Sequence, residues 1–170
     1  LFYFHNYYLA AFPGSGSVVS GLQPLWSLSV EEHFYMIFPL IFLLFMRGRI
    51  DIRHICGLLV LIILWRYIRF QFLLGTQWEI YISTDTRFDS ILFGCLLALI
   101  ERNGVAERIF PADTRRMMIW LLAALLLLGA SILARDMTFR STLRYTVQGL
   151  ALMVVFHYAM TRPDFALFRP

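Results

Sequence analysis

The sequence is poor in charge and contains no lysine. Charged residues make up 15% of the 170 residues, and all 15 basic residues are arginines. A soluble domain carries roughly 25% charged residues, so too few are present here to cover a surface that faces water. Apolar residues make up 59%, and the mean hydropathy is +0.68. The composition therefore predicts a protein of the lipid bilayer and argues against a soluble domain.

Cysteines and binding-loop motifs are also scarce. The two cysteines, Cys56 and Cys95, both lie in apolar segments, which argues against a disulfide framework and against a zinc site with its four ligands. We interpret both as small core residues. The sequence has no glycine-rich phosphate loop, nucleophile elbow or HExxH motif, and its histidines lack metal-ligand spacing. We expect no metal ion and no bound cofactor.

The net charge of +4 does not indicate a nucleic-acid partner. The sequence has no run of basic residues with interleaved aromatic residues, which is the pattern typical of such binding. In a membrane protein, arginines are instead distributed according to topology. We therefore expect no nucleic-acid partner.

Five apolar segments are long enough to cross the bilayer, which takes about 20 residues. They are residues 27–46, 55–74, 84–101, 117–134 and 142–160. The third is unusual, because its continuous apolar run is short and the segment must extend back through polar residues to Thr84. The stretch 13–17 reads as an exposed turn. We predict an all-α fold, a polytopic transmembrane helix bundle with about five spans.

The arginines indicate an orientation. Segments 47–54, 102–116 and 161–170 carry nine of the 15 arginines, whereas the opposite side carries three, near residues 135–144. Positively charged loops stay in the cytoplasm, so loops 47–54 and 102–116 are predicted to be cytoplasmic. The three outer arginines run against this rule.

A polar stripe opens the first span. Ser27, Glu31 and Tyr35 are spaced i, i+4 and i+8, so they share one face of an otherwise apolar helix. Glu31 is a candidate proton acceptor because a carboxylate at this depth is expected to face other helices or a wet cavity.

Neighbours of the stripe allow structural interpretations as well. Ser29 and Glu32 have the spacing of a capping box, so Glu32 is either a cap partner or part of a site. Trp26 fits an interfacial anchor. His33 is either a group that titrates near neutral pH or an interface histidine bonded to a neighbour.

A second polar motif, residues 81–89, enters the third span. Thr86 and Asp89 again have cap spacing. Asp85 and Asp89 share a helix face, which is unfavourable for two like charges unless an arginine or a substrate group lies between them. Arg87 points away from that face and is free to reach another helix.

The topology brings these motifs together. Two crossings return the chain to its starting side, so the entries of the first and third spans lie on the same membrane face. The stripe on the first span is therefore expected to meet Arg87 and Asp89. In the second span, Arg66 and Arg69 lie near that face. They either snorkel to the interface or join an outward-facing polar site suited to a hydroxylated or anionic acceptor.

The two motifs resemble the hallmark blocks of one family. Residues 26–35, Trp-Ser-Leu-Ser-Val-Glu-Glu-His-Phe-Tyr, are followed by Pro39, and residues 84–89, Thr-Asp-Thr-Arg-Phe-Asp, lead to Gly94. Both blocks, in this order, resemble the acyltransferase 3 family of integral membrane O-acyltransferases (OafA/YrhL-like). The resemblance implies transfer of an acyl group, commonly acetyl from an acyl-CoA donor, to a hydroxyl. The acceptor would be a cell-surface saccharide such as lipopolysaccharide, or a lipid-linked glycan, at the bacterial inner membrane.

The resemblance also implies site residues. The family's motif positions fall on Trp26, Ser27, Glu31, Phe34, Tyr35, Arg87 and Asp89. His33 stands where the family most often has glutamine. Catalytic roles are expected for Glu31 as proton acceptor, for Arg87 in neutralising negative charge and for Asp89 in positioning it. Substrate-binding roles are expected for Trp26, Ser27, Tyr35, Arg66 and Arg69.

The family domain is larger than this chain. The resemblance implies that residues 1–170 are part of one transmembrane acyltransferase domain whose amino-terminal spans, with a catalytic histidine, lie elsewhere, and that this part alone is inactive. A different function stays open on the residues themselves. Charged residues in membrane spans also mark transport routes, so a transporter or flippase for a polar or glycan substrate is the alternative. A purely structural subunit is disfavoured by two charged motifs that converge on one face.

Overall fold

A computed structural model describes residues 4–12, 25–73 and 76–164. Within these ranges the regular elements are helices, and five of them have 18 to 22 residues. In chain order they are α1 (His5–Ala11), α2 (Leu25–Met46), α3 (Ile52–Gln71), α4 (Gln77–Ile82), α5 (Thr84–Arg102), α6 (Ala106–Ile109), α7 (Thr114–Leu133), α8 (Met137–Ser141) and α9 (Arg144–Thr161). The turn predicted at 13–17 lies outside the described residues.

The five long helices coincide with the five apolar segments, so the all-α prediction is confirmed. The third of them, α5, begins at Thr84, where the polar extension of the segment was predicted to start. Two helices, α2 and α7, are long and apolar enough to cross a membrane by length and composition.

Aspartate side chains begin two of the long helices. Asp51 precedes α3 and accepts hydrogen bonds from the backbone N–H groups of Arg53 and His54 at 2.9 and 3.3 Å. Asp113 precedes α7 and accepts from the N–H of Arg116 at 3.2 Å. Each carboxylate satisfies donors that have no partner inside the first helical turn. These short polar caps explain why α3 and α7 begin directly after the arginine-rich loops.

Two glycines end helices on that same side. Gly48 follows α2 with φ of 68°, and Gly104 follows α5 with φ of 65°. Their N–H groups donate to the carbonyl oxygens of Phe45 and Glu101 at 2.9 and 3.1 Å. Glycine adopts this left-handed conformation without steric cost, which makes it the usual residue just past a helix end.

Both capping-box predictions are wrong. Ser29 lies inside α2 and donates its hydroxyl to the carbonyl of Leu25 at 3.2 Å. Thr86 lies inside α5 and donates to the carbonyls of Ile80 and Ser83 at 2.6 and 2.9 Å. Each helix begins earlier than the spacing indicated. A hydroxyl followed three residues later by a carboxylate therefore occurs here within a helix, where the hydroxyl bonds back to the preceding turn.

Helix α5 is the centre of the bundle, packing against α2, α3, α4 and α9, while α7 packs against α9. Its carboxyl-terminal half supplies core residues that include Leu92 and Leu96. The approach of α9 depends on Gly149, because a Cβ atom there would overlap the ring of Phe93. The polar first turns of α5 are consequently held beside the start of α2, the end of α3 and the start of α9.

Large apolar side chains remain exposed on the outer faces of α2, α3 and α7, for example Met36, Leu61 and Leu126. Such surfaces are typical of contact with lipid or with further helices. Cys56 is exposed on α3, so its prediction as a core residue is wrong, because the opposite face of that helix is the one that packs inward. Cys95 is partly buried, and both thiols are free.

Candidate functional site

A buried ion pair joins α3 to α5. The Arg66 Nη2 atom lies 2.7 Å from Asp89 Oδ2, and both side chains are 0% exposed. Arg66 also donates from Nε to the Thr86 carbonyl at 3.1 Å and from Nη1 to the Thr142 carbonyl at 2.6 Å. One guanidinium therefore fixes the first turns of α5 and the segment before α9. The snorkelling interpretation is wrong for Arg66.

A second ion pair lies one turn away. Arg69 Nη1 is 3.0 Å from Asp85 Oδ2, and the two side chains are 18% and 34% exposed. Asp85 also accepts a hydrogen bond from Trp65 Nε1 at 2.6 Å. The sequence required one arginine between the two carboxylates. The structure has two, because Arg66 and Arg69, spaced i, i+3 on α3, each pair with one of them. These pairs account for the like charges of Asp85 and Asp89 on one face.

Arg87 lies on the other side of α5, among aromatic rings. Its guanidinium carbon is 4.1 Å from the ring centre of Tyr145, 5.4 Å from that of Tyr81 and 6.0 Å from that of Trp26. Contact with ring faces favours a cation through the ring quadrupole. Arg87 Nη1 is buried and has no hydrogen-bond partner among the described residues. The prediction that Arg87 reaches another helix is confirmed, since Tyr145 belongs to α9.

Trp26 is part of this cluster. Its ring centre is 4.7 Å from that of Tyr81, which precedes α5. The entries of α2 and α5 therefore meet on one face, as the topology predicted.

A cavity of about 570 Å³ adjoins Arg87. It is lined by residues of α4, α5, α8 and α9: Gln77, Trp78, Tyr81, Arg87, Arg140, Arg144, Tyr145 and Gln148. This set combines three arginines, three aromatic residues and two side-chain amides, and it contains no acidic residue. Such a lining suits an anionic, hydroxylated ligand.

His33 and Glu32 face inward on α2. His33 Nδ1 is 2.8 Å from Thr84 Oγ1, which also accepts a hydrogen bond from Asn6 Nδ2 at 2.8 Å. The interpretation of His33 as a histidine bonded to a neighbour is confirmed. Within the described part of the chain, His33 Nε2 and Glu32 Oε2 are buried without a hydrogen-bond partner.

The polar stripe lies on an exposed side of α2. Ser27, Glu31 and Tyr35 are exposed, Tyr35 to 63%. Their meeting with Arg87 and Asp89 stays a prediction. Helix α2 turns its other side toward α5, where the ring of Phe34 lies 5.7 Å from that of Phe88. We infer that this ring contact sets the rotation of α2 about its own axis. The spacing of the polar residues along α2 does not set it.

Several site residues escaped the sequence analysis, namely Tyr145, Arg140 and Arg144, and Tyr81 was part of the second motif without an assigned role. One signal was present, because Arg140 and Arg144 belong to the loop whose arginines oppose the predicted orientation. An arginine that runs against the topological bias needs another reason for its position, and the cavity supplies one. The aromatic residues gave no comparable signal in a sequence that is 16% aromatic.

His157 and Gln148 of α9 have partners within the bundle, as expected. His157 Nδ1 pairs with Glu101 Oε1, and its ring stacks on Phe110 with centres 4.1 Å apart. Gln148 Nε2 donates to Ser131 Oγ at 3.2 Å. Neither arrangement has the ligand number of a metal site.

Comparison with known proteins gives partial matches to acetyltransferases. The chain is 40% identical over 85 residues to the O-acetyltransferase OatA of Staphylococcus aureus (strain NCTC 8325 / PS 47), which covers 48% of this chain and 14% of that protein. It is 35% identical over 122 residues to the peptidoglycan O-acetyltransferase OatA of Listeria monocytogenes, covering 69% of this chain and 19% of the relative. The chain thus spans less than a fifth of the length of these curated relatives. No family model and no solved structure matches it.

Proposed function

We propose that this chain is part of a membrane O-acetyltransferase that acetylates a hydroxyl of peptidoglycan. The single observation that carries the proposal is the meeting of the two motif blocks around Arg87, at the entries of α2 and α5. The similarity to proteins named O-acetyltransferases supports the reaction class. The relative named a peptidoglycan enzyme favours that acceptor over lipopolysaccharide.

The membrane arrangement is part of the same proposal. Helices α3, α5 and α9 have 18 to 20 residues and pack beside α2 and α7, so we infer that all five cross the inner membrane. With loops 47–54 and 102–116 in the cytoplasm, Arg87 and its cavity open outward, on the side where peptidoglycan is found. Acetyl-CoA is the proposed donor from the cytoplasm, and membrane lipid contacts the exposed apolar faces.

Acyl transfer makes two demands on the site. The acceptor hydroxyl must lose its proton to a base as its oxygen bonds to the acyl carbon, and negative charge develops on the acyl oxygen before the carbon–sulfur bond breaks and coenzyme A leaves with the proton as a thiol. Arg87 suits the second demand because Nη1 is buried with no partner among the described residues. Asp89 and Arg66 act as positioning residues. Arg66 binds the carbonyl of Thr86, the residue before Arg87, and thereby fixes the turn that carries it.

We assign the proton acceptor to Glu31, with Trp26, Ser27 and Tyr35 binding the acceptor beside it. This assignment rests on their motif positions, with Ser27, Glu31 and Tyr35 on one exposed face of α2. Arg69, which is mostly buried, contributes to acceptor binding through its pair with Asp85, which holds the start of α5.

The proposal is tested with the full-length protein in liposomes that contain a peptidoglycan saccharide. Radiolabelled acetyl-CoA is supplied on the cytoplasmic side, and the acetylated saccharide is counted. We expect transfer by the wild type, loss of transfer in Glu31→Gln, and full transfer in Glu107→Gln, which changes an exposed glutamate on α6.

A different outcome would favour the alternative. If the saccharide crosses the bilayer without becoming acetylated, the protein is a transporter or flippase. If Glu31→Gln transfers acetyl as well as Glu107→Gln, the role of Glu31 is wrong while the enzyme assignment stands.

A further inference from the structure

We propose that the cavity between α4, α8 and α9 binds the anionic group, phosphate or carboxylate, of a saccharide acceptor. The inference rests on the proposed function and deepens it, because it names the chemical class of the acceptor. The cavity adjoins Arg87 but is mostly built from residues outside the two motif blocks, including Arg140 and Arg144.

Among the described residues, the lining of the cavity carries an excess of positive charge. Arg87, Arg140 and Arg144 all line it, and no acidic residue does. The carboxylates of α4 and α5 nearby are paired with arginines outside the lining: Asp89 with Arg66, and Asp85 and Glu79 with Arg69. Bringing three guanidinium groups to one cavity is unfavourable by itself. A bound anion would remove that repulsion, and the planar fork of arginine matches phosphate and carboxylate oxygens.

Two of these arginines lie at the amino-terminal ends of helices, where negative charge is favoured. Arg87 lies in the first turn of α5, and Arg144 is the first residue of α9. The amino-terminal end of a helix carries partial positive charge, so it stabilises anions and disfavours cations. Both helices exceed 17 residues, and both therefore add to the attraction for an anion. Arg144 Nε is buried without a hydrogen-bond partner in the described ranges, which leaves a donor for that ligand.

The rest of the lining fits a sugar. Trp78, Tyr81 and Tyr145 offer ring faces, and the side-chain amides of Gln77 and Gln148 can bond hydroxyl groups. The volume of about 570 Å³ falls within the range of roughly 300 to 1,000 Å³ that is usual for small-molecule sites. An anion held between Arg140 and Arg144 would leave the sugar ring close to Arg87.

Binding is measured apart from catalysis. The full-length protein in lipid nanodiscs is titrated by calorimetry with inorganic pyrophosphate, with glucuronate and with glucose. We expect saturable binding of at least one anion and none of glucose. Arg140→Gln and Arg144→Gln should each weaken anion binding by about tenfold or more, since a hydrogen bond to a charged group contributes about 1.5 to 3 kcal/mol. Arg135→Gln, which changes an exposed arginine of the same loop outside the cavity, should leave binding unchanged.

Arg140→Lys and Arg144→Lys are the controls for misfolding. Each keeps the positive charge, so a folded variant should retain part of the affinity for the anion. Binding of pyrophosphate alone would identify a phosphate acceptor, and binding of glucuronate alone a carboxylate. The proposal is overturned if neither anion binds, if glucose binds equally well, or if Arg135→Gln weakens binding as much as the cavity variants. Anion binding without acetyl transfer would instead refute the proposed function and leave the cavity assignment standing.

Discussion

Replacing Arg66 with glutamine should cost far more stability than the same change three residues later at Arg69. The first substitution leaves the Asp89 carboxylate, 0% exposed, without its cation and removes donors from the carbonyls of Thr86 and Thr142. Removing one partner of a buried pair typically costs about 3 to 5 kcal/mol. The Arg69–Asp85 pair is partly exposed, and its loss should cost about 1 kcal/mol or less.

Both variants are unfolded thermally in the same detergent, with tryptophan fluorescence as the readout. For a chain of this size about 1 kcal/mol corresponds to a shift of roughly 2 to 4 °C, so Arg66→Gln should melt at least about 6 °C below the wild type. Adding Asp89→Asn to Arg66→Gln should recover part of the loss, because the unpaired charge is then gone. Equal melting temperatures for Arg66→Gln and Arg69→Gln would refute the buried pair as the link between α3 and α5.

Two further predictions concern packing and pH. Gly149→Ala should destabilise the protein by about 1 to 3 kcal/mol, because the new methyl overlaps the ring of Phe93, whereas Gly129→Ala, in open space on α7, should not lower the melting temperature. The pKa of Asp51 lies below its usual 3.8 because His54 hydrogen-bonds to the carboxylate. The stabilisation of the α3 start is therefore complete above that usual value and is lost as the pH falls through the lowered pKa. Asp51→Asn should abolish this acid-dependent loss, measured as hydrogen exchange at the first amides of α3. An unchanged acid response would contradict the cap.

The sequence predicts the helices well because long apolar runs admit few other structures. It also predicts that the entries of α2 and α5 meet, since this follows from counting crossings and needs no side-chain detail. The carboxylates of Asp85 and Asp89 even indicated their arginine partners, because two like charges on one helix face require compensation.

The rotation of α2 about its own axis could not be predicted from the sequence. A polar stripe on an apolar helix shows which residues share a face, but not which neighbour covers that face. Here the contact of Phe34 with Phe88 turns Ser29 and Val30 inward and leaves the stripe outside. The cavity was missed for a related reason: its residues come from four helices, and no spacing within one helix connects them.

The central claim, that Arg87 serves acetyl transfer where the two motif blocks meet, is tested most directly by the rate of that transfer. The full-length protein and its Arg87→Gln and Arg135→Gln variants are compared in liposomes at matched amounts of folded protein. Loss of one group that stabilises developing negative charge typically lowers the rate about 10² to 10³-fold. We predict a loss of this size in Arg87→Gln and a wild-type rate in Arg135→Gln. A wild-type rate in Arg87→Gln, with its melting temperature unchanged, would contradict the account.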